Sequence, residues 1–189
     1  MASLITHAFV GAAVGQTGAV GWRKDWRYWC LMVTISMLPD IDSLGFFMGI
    51  PYGSFWGHRG FTHSLLFALI IALLCAAWLS GKFRSRWELA ALFFLAIASH
   101  GLLDAMTNGG LGVAFFSPFD LHRYFLPWRP ILVSPIGVTR FLSARGLRIL
   151  ESEVIYVWCP ALVLVGLAGL YQIYTKHRSK AFPLSNAQK

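Results

Sequence analysis

Long apolar runs, separated by short polar and glycine-bearing hinges, account for most of this chain. Five of them, Leu4–Gly21, Tyr28–Met48, Phe61–Leu79, Leu89–Met106 and Val154–Tyr174, each approach the ~20 residues that an α-helix needs to cross a ~30 Å hydrocarbon core. The third and fifth are almost unbroken. The first is rich in glycine and holds His7 and Gln16, while the second and fourth carry a few ionisable residues in apolar surroundings. The pattern predicts an all-α fold, a polytopic membrane bundle of about five transmembrane helices. No Lys or Arg precedes Arg23, so the first run lacks the basic leader of a secretory signal and reads as a retained helix. Between Asn108 and Glu153 the apolar runs give way to prolines, aromatic residues (Phe115, Phe116, Phe119, Tyr124, Phe125, Trp128) and five arginines. That stretch is expected to be a long outer-face loop lying on the membrane surface, its arginines among lipid headgroups. Residues 1–176 are expected to form one membrane-embedded domain and 177–189 a polar cytoplasmic tail.

Composition agrees with the pattern. The 189 residues are 57% hydrophobic and only 13% charged, against about 25% charged in soluble domains. The net charge of +8 would suit nucleic acid, but its distribution argues otherwise. Arg23, Lys24 and Arg27 lie between runs one and two, Lys82, Arg84 and Arg86 between runs three and four, and Lys176, Arg178 and Lys180 after run five. Five spans place these clusters on one side of the membrane, which the positive-inside rule makes cytoplasmic. The expected location is a bacterial inner membrane, with the N-terminus outside, the C-terminus inside and no nucleic-acid partner. Cys30, Cys75 and Cys159 each fall inside an apolar run without a C-x-x-C pair, and read as packing residues.

The same topology gathers the ionisable residues. Side chains of this kind inside a bilayer cost roughly 2.5–3.5 kcal/mol each on insertion scales and are rarely idle. His7, the pair Asp40 and Asp42 in Leu38-Pro39-Asp40-Ile41-Asp42, His58 and His63 around Arg59-Gly60-Phe61-Thr62, and His100 with Asp104 all fall at the outer ends of their runs. His100 and Asp104 are four apart and share a helix face, a spacing that lets two ligands reach one ion. Asp40 and Asp42 would diverge by about 200° on a regular helix, but Pro39 disturbs it. Either both carboxylates ligate, or one ligates while the other orients a histidine. His7, Asp40, His63, His100 and Asp104 are the expected metal ligands; Asp42, His58 and Arg59 are expected to act in catalysis, Arg59 by clamping a phosphate. Imidazole and carboxylate without thiolate fit Zn²⁺, with Mn²⁺ or Fe²⁺ as alternatives, and the donors are numerous enough for one or two ions. His122, beside Asp120 in the long loop, is a further candidate; His177 falls in the tail.

A site at headgroup depth that lowers the pKa of water favours hydrolysis of a phosphoester in a lipid or lipid-linked substrate. The zinc-protease motif His-Glu-x-x-His and the serine-hydrolase elbow Gly-x-Ser-x-Gly are both missing. The set His7, Leu38-Pro39-Asp40-Ile41-Asp42, Gly57-His58-Arg59-Gly60-Phe61-Thr62-His63-Ser64 and Ser99-His100-x-x-x-Asp104 resembles the bacterial inner-membrane, LexA-regulated family of inferred metal-dependent hydrolases, linked to zinc-dependent phospholipase C. The resemblance covers roughly residues 1–140 and implies the same seven His and Asp residues as ligands or catalytic groups. Two rival functions fit the same cluster: a transporter passing protons or metal ions, and a non-catalytic membrane protein that a metal stabilises.

Overall fold

The computed structural model describes residues 1–18, 24–79, 85–135 and 141–181, with side chains of the last helix described to Tyr174. Among these residues the fold is helical, with two isolated β-bridges and no strand. Helix α1 (Leu4–Thr17) starts where the Ser3 side chain accepts the Thr6 N–H, and α2 (Trp26–Met37) where Asp25 accepts that of Arg27. Just before Pro39, α2 tightens into a 3₁₀ segment, Leu38–Met48, which Gly49 ends in the left-handed region at φ 71°. A loop and a short 3₁₀ turn, Phe61–His63, lead into α3 (Leu65–Leu79). Ser85 caps α4 (Arg86–Ala105), and a loop with one cis peptide bond, Ser117–Pro118, follows. Helix α5 (Ala144–Glu153) passes through a π turn, Val154–Trp158, into α6 (Cys159–Ala181). Pro160 explains the π turn: it has no N–H to donate and its ring crowds the carbonyl four residues earlier, so the helix widens there.

The inner part of the bundle is apolar. Tyr28, Met32 and Ile35 of α2 pack with Ala68, Ala72 and Ala76 of α3 and with Leu89, Phe93, Ala96 and Ile97 of α4, all buried. The three alanines lie four apart on one face, and their small side chains let α3 and α4 approach closely. Gly11 does the same between α1 and α2, since a Cβ there would lie 2.6 Å from the Met32 carbonyl oxygen. Leu69, Leu73, Leu74 and Trp78 face outward, as do Leu162, Val163, Leu164 and Leu167 of α6. Such an apolar exterior suits lipid rather than water.

The helical class agrees with the apolar pattern, but several boundaries differ. Arg86–Ala105 and the continuous stretch Ala144–Tyr174 are long and apolar enough to cross a membrane, with Leu65–Leu79 shorter. The expected second span is α-helical only to Met37, because Pro39 interrupts the α-helical bonding pattern. The expected loop ends at Ser143 instead of Glu153, because α5 buries Gly146, Ile149, Ser152 and Glu153 on one face and carries Arg145 and Arg148 outside it. Helix α6 continues through residue 177, where the tail was expected to begin, as far as Ala181. The end of the first expected span, Arg23, Lys82, Arg84, Arg140 and residues 182–189 lie outside the described residues, as do the side chains of Lys176, His177, Arg178 and Lys180.

Candidate metal centre

Four elements meet at one end of the bundle, and each contributes buried polar side chains: His7 from the start of α1, Asp40 and Asp42 from the 3₁₀ segment, His58, Arg59 and His63 from the loop and turn before α3, and His100 and Asp104 from the end of α4. All seven His and Asp candidates are buried, the most accessible being Asp42 at 8% exposure.

Buried polar atoms normally find partners, and one left without costs about 1–3 kcal/mol. Among the described residues, eight buried side-chain nitrogens and oxygens have none, and seven of them belong here: both nitrogens of His7, both oxygens of Asp40, and the Nε2 atoms of His58, His63 and His100. Most of these atoms face one another or Asp104. His100 Nε2 lies 3.3 Å from Asp40 Oδ1. His63 Nε2 is 3.7 Å from Asp40 Oδ1 and 3.6 Å from Asp104 Oδ2, and His7 Nε2 is 3.5 Å from Asp104 Oδ1. Two ligands ~2.0–2.1 Å from a tetrahedral ion lie roughly 3.3–3.4 Å apart. The separations therefore suit donors around one ion. Asp40, His63, His100 and Asp104 each offer an atom within 4.8 Å of the others, so this group could hold a metal ion. Asp40, Asp42, His58 and His63 form a second such group sharing Asp40 and His63.

The opposite edges of three rings are anchored. His58 Nδ1 lies 2.7 Å from Asp42 Oδ1, His63 Nδ1 3.0 Å from Asp42 Oδ2, and His100 Nδ1 2.8 Å from the Ser36 carbonyl oxygen. A carboxylate or carbonyl behind a metal-binding imidazole fixes its tautomer and aims the other nitrogen forward. His7 is held differently, stacked on His100 with ring centroids 3.5 Å apart. Asp42 also accepts the Arg59 N–H at 3.0 Å and the Thr62 hydroxyl at 2.6 Å. Asp42 thus has four partners on its two oxygens, where Asp104 has one on each, and of the two roles open to Asp42 the geometry favours orienting His58 and His63. Asp40, with two unpartnered oxygens, is left as the donor facing the centre.

Arg59 departs from its expected role as a phosphate clamp. It is fully buried, and each of its guanidinium nitrogens is already engaged: Nε with Asp104 Oδ2, Nη1 with the Gly109 carbonyl and Nη2 with the Thr107 hydroxyl, all at 2.9 Å. It sits at φ 62° between two glycines, where backbones crowd: a Cβ on Gly57 would lie 2.2 Å from the Pro51 oxygen and one on Gly60 2.3 Å from that of Phe55. The Gly57-His58-Arg59-Gly60 string is therefore a tight fold that turns His58 and Arg59 inward together. His122 is exposed, away from both groups. It belongs to a turn in which the Tyr124 hydroxyl and the His122 N–H hold the Asp120 carboxyl below its ordinary range.

Two contributors escaped the sequence reading. Glu153, fully buried at the α5–π junction, accepts the Ser3 N–H at 2.5 Å and the hydroxyls of Ser3 and Thr6 at 2.6 and 2.8 Å. Next to Ser3, the Ala2 N–H donates to Asp104 Oδ1 at 2.7 Å, so Glu153 holds the segment that places His7. An acid at the mouth of an apolar run was the available signal. Arg123 donates to the carbonyls of His58, Tyr52 and Ser54 and braces the loop from outside; nothing in the sequence separates it from the other loop arginines.

Comparison with known proteins places the chain in a family. Residues 1–178 match the YdjM inner membrane protein family. The chain is 38% identical over 168 residues to inner membrane protein YbcI of Escherichia coli (strain K12), covering 88% of this chain and 96% of that one. It is 39% identical over 62 residues to the uncharacterized protein YvsG of Bacillus subtilis (strain 168), covering 33% of this chain and 36% of that one. No solved structure matches. By both the extent of the family match and the likeness to YbcI, this chain belongs to the YdjM inner membrane protein family.

Proposed function

We propose that this protein is a membrane-embedded, metal-dependent hydrolase that cleaves a phosphoester of a lipid or lipid-linked molecule at the outer face of the inner membrane. The observation that carries the reading is the set of unpartnered, inward-facing His and Asp atoms at ligand separation, with three of the rings anchored from behind. His63, His100, Asp40 and Asp104 would hold the ion, with His7 beside them as a further donor, and Zn²⁺ suits the donors best. A bound divalent ion supplies Lewis acidity and lowers the pKa of water. His58, its Nδ1 against Asp42 and its Nε2 unpartnered, is arranged to accept a proton through Nε2. Arg59 holds the Asp104 carboxylate in place through Nε.

Two observations bear on the substrate class. The 3₁₀ segment covering Asp40 and Asp42 presents Ile41, Leu44, Phe47 and Met48 to the outside, a surface that acyl chains wet and a soluble ester does not. The motif resemblance points to phosphoester chemistry. A transporter needs polar groups through the inner bundle, whereas the described core there includes Met32, Ala72, Ala76, Leu79, Leu89 and Phe93, and its Tyr28 hydroxyl is committed to the Gly15 carbonyl.

The test is metal content by mass spectrometry on the detergent-purified full chain, followed by turnover of a phospholipid panel. Stoichiometric metal in the wild type, lost in folded His63→Ala and Asp40→Asn, together with turnover that tracks it, is the expected result. Stoichiometric metal without turnover of any phosphoester would leave a structural metal protein, and a metal-free wild type after attempted reloading would remove the hydrolase reading.

A further inference from the structure

Beyond the metal centre, a cavity of about 370 Å³ opens between the loop and α5, lined by Asn108, Leu132, Val133, Arg145, Arg148 and Ile149. Its floor is apolar, and its charged residues are both cationic. Arg145 and Arg148 lie three apart on one face of α5, both exposed, and among the described residues neither has a carboxylate or hydrogen-bond partner. The inward-facing acid of the same helix, Glu153, is occupied by Ser3 and Thr6. Asn108 Oδ1 accepts the Val133 N–H at 3.0 Å, which leaves its amide nitrogen as the group still able to bond a ligand. Thus, among the described residues, the side chains available to an occupant are all donors.

The walls are also fixed. The Leu132 N–H donates to Ser152 Oγ at 3.1 Å, tying the loop to α5, and the isolated bridge between Thr107 and Ile131 holds the loop against the end of α4. Like charges at this spacing repel on a bare helix, and a multivalent anion between them removes the repulsion. A tetrahedral oxyanion matches two guanidinium forks and an amide.

We propose that this pocket binds a phosphate group at a site separate from the metal centre, supplied either by a lipid headgroup or by free phosphate. Asn108 follows Thr107, whose hydroxyl accepts from Arg59, so the bound phosphate sits beside the residues that hold Asp104. The assignment does not depend on hydrolysis and stands if the centre proves to be structural.

The experiment titrates the purified full chain with inorganic phosphate by calorimetry, and compares retention of phosphatidic acid with that of diacylglycerol by native mass spectrometry. Arg145→Gln/Arg148→Gln is the main variant. Asn108→Asp is the second, because it keeps the acceptor for Val133 while adding a negative charge to the cavity. Arg129→Gln, outside the cavity, is the control, and unchanged helical circular dichroism and thermal midpoint in detergent certify folding. We expect about tenfold weaker binding in both pocket variants and wild-type binding in the control. Loss of inorganic phosphate binding identifies free phosphate as sufficient; loss confined to phosphatidic acid identifies the headgroup. Equal binding by wild type and both pocket variants, as phosphate held only at the metal centre would give, overturns the proposal, as does a wild type that binds neither probe.

Discussion

The two ends of this bundle are built from the same helices under opposite rules. Towards one end, α2, α3 and α4 bury Met32, Ala72, Ala76, Leu89 and Phe93, side chains with nothing to satisfy but packing. At the other, those helices or the segments joined to them bury Asp40, His63 and His100 with polar atoms left unpartnered, around the buried carboxylate of Asp104. Fully paired, such groups would be a costly way to build a core; unpartnered, they are costlier still unless a ligand completes them. The difference separates the part that makes the fold from the part that the fold exists to hold.

Substitutions break this comparison in graded ways. Asp104→Ala is expected to do the most damage, since it removes a proposed metal donor and leaves the Arg59 guanidinium buried without its carboxylate. Breaking a buried pair from one side costs about 3–5 kcal/mol, so both metal content and thermal stability in detergent should fall. Asp42→Asn touches only the anchoring of the rings. Its side chain keeps the shape but loses charge and one acceptor towards His58 and His63, and metal affinity measured by competition with a chelator should drop about 10–100-fold while the helical circular dichroism stays unchanged. If Asp42→Asn instead abolished binding as completely as Asp40→Asn, Asp42 would be a ligand and its orienting role wrong. Ala72→Leu belongs to the other end. It forces extra methylenes into the α3–α4 contact, where Ala72 has no exposure, and overpacking of that kind costs about 1–3 kcal/mol. The thermal midpoint should fall while metal content in the folded protein is untouched.

How much of this was legible beforehand follows from what each residue depends on. The helical class could be read from the apolar runs, and the meeting of His7, Asp40, His63, His100 and Asp104 from their common place at the ends of those runs, because both follow from local pattern and chain reversal. Asp40 could be placed among the expected ligands, but whether Asp42 ligates, acts in catalysis or orients a histidine could only be framed, since it turns on the geometry of a 3₁₀ segment. Arg59 was misread because an arginine in a loop is ordinarily solvated; its burial depends on Asp104, Thr107 and Gly109, all at least 45 residues away in sequence. Helix α5 was hidden in a loop because its one buried face alternates with arginines, a pattern that reads equally as an interfacial segment.

The smallest expected effect sharpens the boundary of the site. His122 is the remaining histidine with a described side chain, and its neighbourhood looks superficially like that of the others: a ring against an aromatic, beside a carboxylate. The resemblance ends at burial. The ring is exposed and meets Tyr124 edge-on at 4.7 Å between centroids, and Asp120 is committed to Tyr124 and to the His122 backbone. An exposed aromatic contact of this kind contributes less than about 1 kcal/mol. His122→Ala should therefore leave metal stoichiometry at the wild-type value and the thermal midpoint nearly unmoved, while His100→Ala in the same preparation loses the ion. A metal deficit in His122→Ala would mean that the loop folds over the centre when the ion is bound, and the His/Asp end would then extend beyond the bundle that now bounds it.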